Sequence, residues 1–79
     1  MSPNKAMTYG ERAVGLDFNP SGDDDVHRVK TLMAELIDIL NEERGTAKTA
    51  EKTRLFGIAI IEAQTAQMWA VKALTWKDE

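Results

Sequence analysis

Two long stretches of the chain carry apolar residues at helical spacing, and they differ in how far round the helix those residues reach. In the first, Val26, Val29, Leu32, Met33, Leu36, Ile37, Ile39 and Leu40 recur every one to three positions. At 100° per residue they span roughly 160°, wider than the ~100° stripe that one packing partner covers. This predicts helix one over about 23–43. In the second, 15 of the 22 residues from Leu55 to Trp76 are apolar and point almost all the way round. This predicts helix two over about 49–76, buried on more than one side. The connection Thr46-Ala47-Lys48-Thr49 is short, so the two helices run antiparallel, and either Thr46 or Thr49 can cap the second. The expected fold is all-α, a single helical-hairpin domain over 1–79. A hairpin cannot enclose its own second helix. The remaining apolar surface therefore calls for symmetric copies of the chain, a homo-oligomer.

The first 22 residues lack such a period and are expected to form an irregular arm. The stretch Ala13-Val14-Gly15-Leu16-Asp17-Phe18 is apolar enough to pack against something. Asn19-Pro20-Ser21-Gly22 joins two turn dipeptides. Ser21 then reads as an N-cap, with Asp24 three residues on as a weak capping box. Asp23, Asp24 and Asp25 fill the first turn, where the helix dipole favours negative charge. Capping explains this triplet better than a metal does, because a Ca²⁺ loop spaces its oxygen ligands and this run does not. Arg44 and Gly45 give helix one a cation in its last turn and a glycine just past its end.

Composition sharpens the need for partners. A core in a 79-residue chain rarely contributes more than ~3–5 kcal/mol, and small domains lean on disulfides, metals or association. Cysteine is absent and His27 is the single histidine, which removes disulfides and a His-based zinc or haem site. No metal or other cofactor is expected. The net charge of −3 argues against a track for long nucleic acid, which needs a dense basic face. The second apolar stretch is not a membrane span, because Glu62, Gln64, Gln67 and Lys72 lie within it. No apolar run opens the chain, so a cytoplasmic location without a secretion signal is expected.

Catalysis finds little support, and the chain is expected not to be an enzyme. Glu62 falls on the apolar side of helix two near Trp69; it reads as an ion-pair anchor across a subunit interface before it reads as a general base. Binding finds more. Phe18, Asn19, Pro20, Ser21 and Gly22 combine an aromatic face, an amide, a hydroxyl and backbone donors at a helix start. An aromatic there can stack on a base, and Arg28 and Lys30 supply charge for phosphates. Lys72 is an isolated cation among apolar neighbours; it reads as a snorkelling side chain or as a partner for Glu62. Trp69 and Trp76 lie seven apart on one side and read as core or interface anchors.

The run Arg12-Ala13-Val14-Gly15-Leu16-Asp17-Phe18-Asn19-Pro20-Ser21-Gly22, followed by Val26, Lys30, Leu36-Ile37-Asp38, Glu62 and Met68-Trp69-Ala70-Val71-Lys72-Ala73, resembles the phage anti-CBASS sponge family. That family shares its helical hairpin with the phage anti-Thoeris sponges. The resemblance implies a compact homohexamer in the cytoplasm of the infected bacterium. It implies sequestration, without cleavage, of cyclic di- and trinucleotide messengers of anti-phage immunity. Dinucleotides would sit between protomers, with Phe18 stacking on a base and Lys30, or failing it Arg28, reaching the ligand. Lys72 becomes the candidate for a separate trinucleotide site. The alternative is a structural phage accessory hairpin whose apolar second helix docks on a larger protein.

Overall fold

The computed structural model describes residues 6–20 and 22–78, and among these the chain forms three α-helices and no strand. They are α1 (Tyr9–Val14), α2 (Asp24–Gly45) and α3 (Ala50–Thr75). α2 and α3 form the expected antiparallel hairpin. Thr49 caps α3 through its side-chain oxygen, which accepts from the Lys52 N–H at 3.1 Å. On the exposed side of that first turn, the Arg54 guanidinium beside Glu51 holds its carboxyl below the usual carboxylate range.

Three details differ from expectation. The arm over 1–22 is not wholly irregular, because it contains α1. This helix is too short to display a period, and its signal is local. The Thr8 hydroxyl accepts from the Glu11 N–H at 3.0 Å while the Glu11 carboxylate accepts from the Thr8 N–H at 2.9 Å, a reciprocal capping box. The N-cap of α2 is Asp23, whose carboxylate accepts from the N–H groups of Asp25 and Val26 at 2.7 and 3.2 Å. Ser21, expected to cap, lies outside the described residues. Gly45 belongs to α2 itself, and the helix closes with the Thr46 N–H on the Glu43 carbonyl and the Ala47 N–H on the Arg44 carbonyl, both at 3.2 Å.

α1 folds back along α2. The Gly10 N–H, one of the orphan donors of a helix start, is taken by the Asp38 carboxylate at 2.7 Å. At one end the Arg44 guanidinium lies over the Tyr9 ring, 5.7 Å from its centre. At the other, Gly15 adopts φ 63° and ends α1, with its own N–H on Arg12 and the Leu16 N–H on Glu11, a Schellman arrangement that glycine permits.

The core is correspondingly small. Val14, Ala34, Ile37, Ile60 and Ala63 form its buried cluster, with Ala13, Leu16, Met33 and Leu40 packed partly against it. Among the described residues only Ile37 is wholly sealed. Between Cα atoms the chain extends 48 × 36 × 12 Å, a slab one layer of helices thick. A slab leaves both broad faces wet. Leu32, Leu36 and Ile39 on α2 and Leu55, Ile58, Ile61, Met68, Trp69 and Trp76 on α3 or at its end are all exposed. This is the excess of apolar surface that the wide helical arcs predicted. Among the described residues, no helix is long and apolar enough to cross a membrane.

Candidate functional site

The segment between α1 and α2 is a cradle built from backbone bonds. Gly15 ends α1 and its carbonyl accepts from the Phe18 N–H at 2.9 Å. Asn19 opens a turn closed by the Gly22 N–H on the Asn19 carbonyl at 2.9 Å, with Gly22 at φ 64°. The Asn19 side chain bridges to the start of α2: its amide donates to the Asp23 carbonyl at 2.8 Å, and its oxygen accepts from the Asp23 N–H at 3.2 Å. Asn19 is expected to meet a ligand; in the free chain its amide shapes the turn while the residue also lines the cavity beside Phe18.

Lys30 completes the cradle from below. It is 4 % exposed, one full turn beyond Val26 on the buried side of α2. Its ammonium donates to the carbonyls of Gly15 at 3.0 Å and Phe18 at 2.5 Å. It also lies 5.5 Å from the centre of the Phe18 ring. A buried ammonium must be hydrogen-bonded, and here the arm supplies both acceptors. Lys30 was expected to reach a ligand directly. In the free chain its charge is committed to holding the turn, and through the turn it holds Phe18.

Phe18 itself is 73 % exposed, too wet for a core residue and fixed at its backbone. Its ring overhangs a cavity of about 330 Å³ that it lines with Asn19, Pro20, Val26, Lys30, Val71 and Thr75. The lining is mostly apolar. Its volume lies at the low end for ligand pockets, enough for one nucleotide-sized group with the remainder projecting outward. Val71 and Thr75 reach it because the hairpin returns the last turns of α3 to the start of α2. The sequence reading missed them, together with Val26. Only the antiparallel pairing could have pointed to them.

The other expected site residues lie elsewhere. Arg28 projects outward and pairs with Asp25 at 3.3 Å, away from the cavity lining. Gly22 shapes the turn, and it too is outside that lining. Lys72 lines a separate groove of about 270 Å³ with Thr65, Met68 and Trp69. Its ammonium sits over the rings of Trp69 and Trp76, 5.3 and 6.0 Å from their centres. Glu62 is exposed, so the buried carboxylate expected on helix two is not formed within one chain. Among the described residues, no group of three His, Cys, Asp or Glu side chains could hold a metal ion.

The family model for the Acb2/Tad1 hairpin domain matches residues 11–75. The chain belongs to this family. The match runs from the first turn of α1 to the last residue of α3, so the Acb2/Tad1 hairpin includes the cradle, Lys30 and both walls of the Phe18 cavity. The same span carries the Phe18–Gly22 turn and the Met68–Ala73 segment, on which the likeness to the anti-CBASS and anti-Thoeris sponges rests. No curated protein and no solved structure matches the chain.

Proposed function

We propose that the chain sequesters cyclic di- or trinucleotide messengers of bacterial anti-phage signalling as a homo-oligomeric sponge and releases them intact. The observation that carries this reading is the Phe18 ring, exposed over an apolar cavity by a backbone fixed at Gly15, Asn19 and Lys30. An aromatic surface held rigidly beside open space suits a nucleobase, which offers a flat face and asks for little hydrogen bonding. The remainder of a cyclic dinucleotide extends past the cavity mouth, where a second copy of the chain encloses it. Membership of the Acb2/Tad1 family and the likeness to the sponges support the ligand class.

The chemistry of the cavity also favours holding over cutting. Among the described residues the one titratable group of its lining is Lys30, whose ammonium is occupied by two carbonyls. Hydrolysis of a phosphodiester needs a positioned base or nucleophile within hydrogen-bond reach of the reacting atoms, and among the described residues none of the lining side chains is a carboxylate or an imidazole.

Native mass spectrometry and calorimetry over a panel of cyclic di- and trinucleotides test the reading. Binding followed by recovery of unaltered ligand after heat release is the expected result. Absence of binding at high micromolar ligand overturns it, and linear or hydrolysed product in the released fraction makes the chain an enzyme. Phe18→Ala should weaken cyclic dinucleotide binding by about 1–3 kcal/mol through loss of base stacking. The ring is exposed and makes no part of the buried cluster, so melting of the variant should stay close to wild type.

A further inference from the structure

The outward side of α3 presents a seam with a direction and a register written into it. Leu55, Ile58, Glu62, Thr65, Trp69, Lys72 and Trp76 follow one another at alternating steps of three and four, and every one is exposed. This is the a/d spacing of a coiled-coil seam. Between Leu55 and Trp76 the only charged residues of the chain are Glu62 and Lys72, and both fall on the seam. Glu62 has no ion-pair partner among the described residues. Within one chain it is separated from Lys72 by about 15 Å of helix rise.

We infer that α3 packs antiparallel against α3 of a second copy about a two-fold axis that passes between the levels of Thr65 and Trp69, with Glu62 of each copy facing Lys72 of the other. In a two-fold antiparallel pair the layers join an a position to a d position, and both contacts of each kind form twice. With the centre at the level of position 67, midway between Thr65 and Trp69, the layers are Glu62 with Lys72, Thr65 with Trp69, and Ile58 with Trp76. Each charge meets its opposite, and the largest side chain of the middle layers meets a small one. Shifting by one heptad in one direction places Lys72 against Leu55 and Glu62 against Thr65. The opposite shift places Lys72 against Trp69 and moves Glu62 beyond the helix end. Both leave the charges unpaired in an apolar seam, which is costly. A parallel two-fold pair sets Glu62 against Glu62 and Lys72 against Lys72. Polar residues at single seam positions are the device by which helices fix partner direction and register.

The occupant of this face is therefore a second copy, because the seam is complementary to itself. The pairing also assigns the Lys72 charge to Glu62 of the neighbouring copy, in place of a trinucleotide phosphate. It does not depend on any ligand, so a failure of the sponge reading would leave it standing.

Charge exchange tests it by sedimentation velocity in ligand-free buffer, with far-UV circular dichroism confirming helix content. Glu62→Lys and Lys72→Glu each place like charges in two layers, so each variant alone should dissociate to a smaller species. The expected rise in the dissociation constant is at least about tenfold. The double variant E62K/K72E should recover the wild-type mass. An equimolar mixture of the two single variants should do so as well, because the basic chain then faces the acidic one in both layers. A wild-type chain that is monomeric, single variants of unchanged mass, or a mixture that stays at the lower mass each overturn the pairing.

Discussion

Gly10→Ala is expected to undock α1 and to cost roughly 3–5 kcal/mol, combining the penalty for overpacking with the loss of a charge-assisted hydrogen bond. A Cβ on Gly10 would sit 2.1 Å from the Ala34 carbonyl oxygen, 2.8 Å from its carbon and 3.0 Å from its Cα. All three are backbone atoms in the middle of α2, so no change of rotamer relieves the clash. The short helix has to move away by about an ångström, a shift that steepens repulsion into broken contact across a close-packed seam. That shift pulls the Gly10 N–H off the Asp38 carboxylate, now 2.7 Å away, and lifts Val14 out of the buried cluster. Urea or thermal unfolding measures the loss. Gly57→Ala is the control: a Cβ there meets nothing within 4 Å, and alanine in a helix interior should stabilise by about 0.5–1 kcal/mol. If the two variants unfold alike, α1 does not dock as described.

Lys30→Met is expected to lower stability by about 2–4 kcal/mol, because the carbonyls of Gly15 and Phe18 lose a charged donor while the apolar stem is retained. The upper part of that range applies if water fails to reach the two carbonyls. Amide exchange locates the effect. The Phe18 N–H, bonded to Gly15 at 2.9 Å, and the Gly22 N–H, bonded to Asn19 at 2.9 Å, should lose protection. Amides in the centres of α2 and α3 should keep theirs. The same variant separates two roles in ligand binding. If Lys30 acts by holding Phe18, then Lys30→Met and Phe18→Ala should be non-additive in a double-mutant cycle. The salt dependence of binding should also stay as in wild type. Additive losses with a shallower salt slope would instead mean that the ammonium leaves the carbonyls and contacts a phosphate itself.

Lys30 illustrates why the site was only partly legible before folding. A basic residue early in a helix, near an aromatic turn, suggests a phosphate contact because charge is what the sequence displays. Whether that charge is free is decided by the side of the helix it occupies and by what folds across it. The arm lays two carbonyls over Lys30, and their bonds take the charge. Asn19 follows the same course: a polar side chain in a turn is equally suited to a ligand and to the backbone, and here Asp23 holds both of its ends. Glu62 differs from both. Its position among apolar residues suggests an anchor across a subunit interface, and within one chain the side of α3 that carries it is exposed and faces away from α2.

The sequence by itself determined the two long helices, their antiparallel order and the excess of apolar surface. Each of these follows from periodicity and from a connection too short to permit another arrangement. It also singled out Phe18 as an aromatic at a turn before a helix, since turn chemistry is local. Only the tertiary structure decided where residues 9–14 dock: the Thr8–Glu11 capping box starts the helix locally, but six residues carry no period that shows a packing face, and Asp38 and Ala34, far along the chain, hold it. Only it decided the far wall of the cavity, where Val71 and Thr75 meet Phe18 and Val26. Those contacts join residues some 50 positions apart. Their proximity is a property of how two helices lie against one another, and no local pattern in either helix records it.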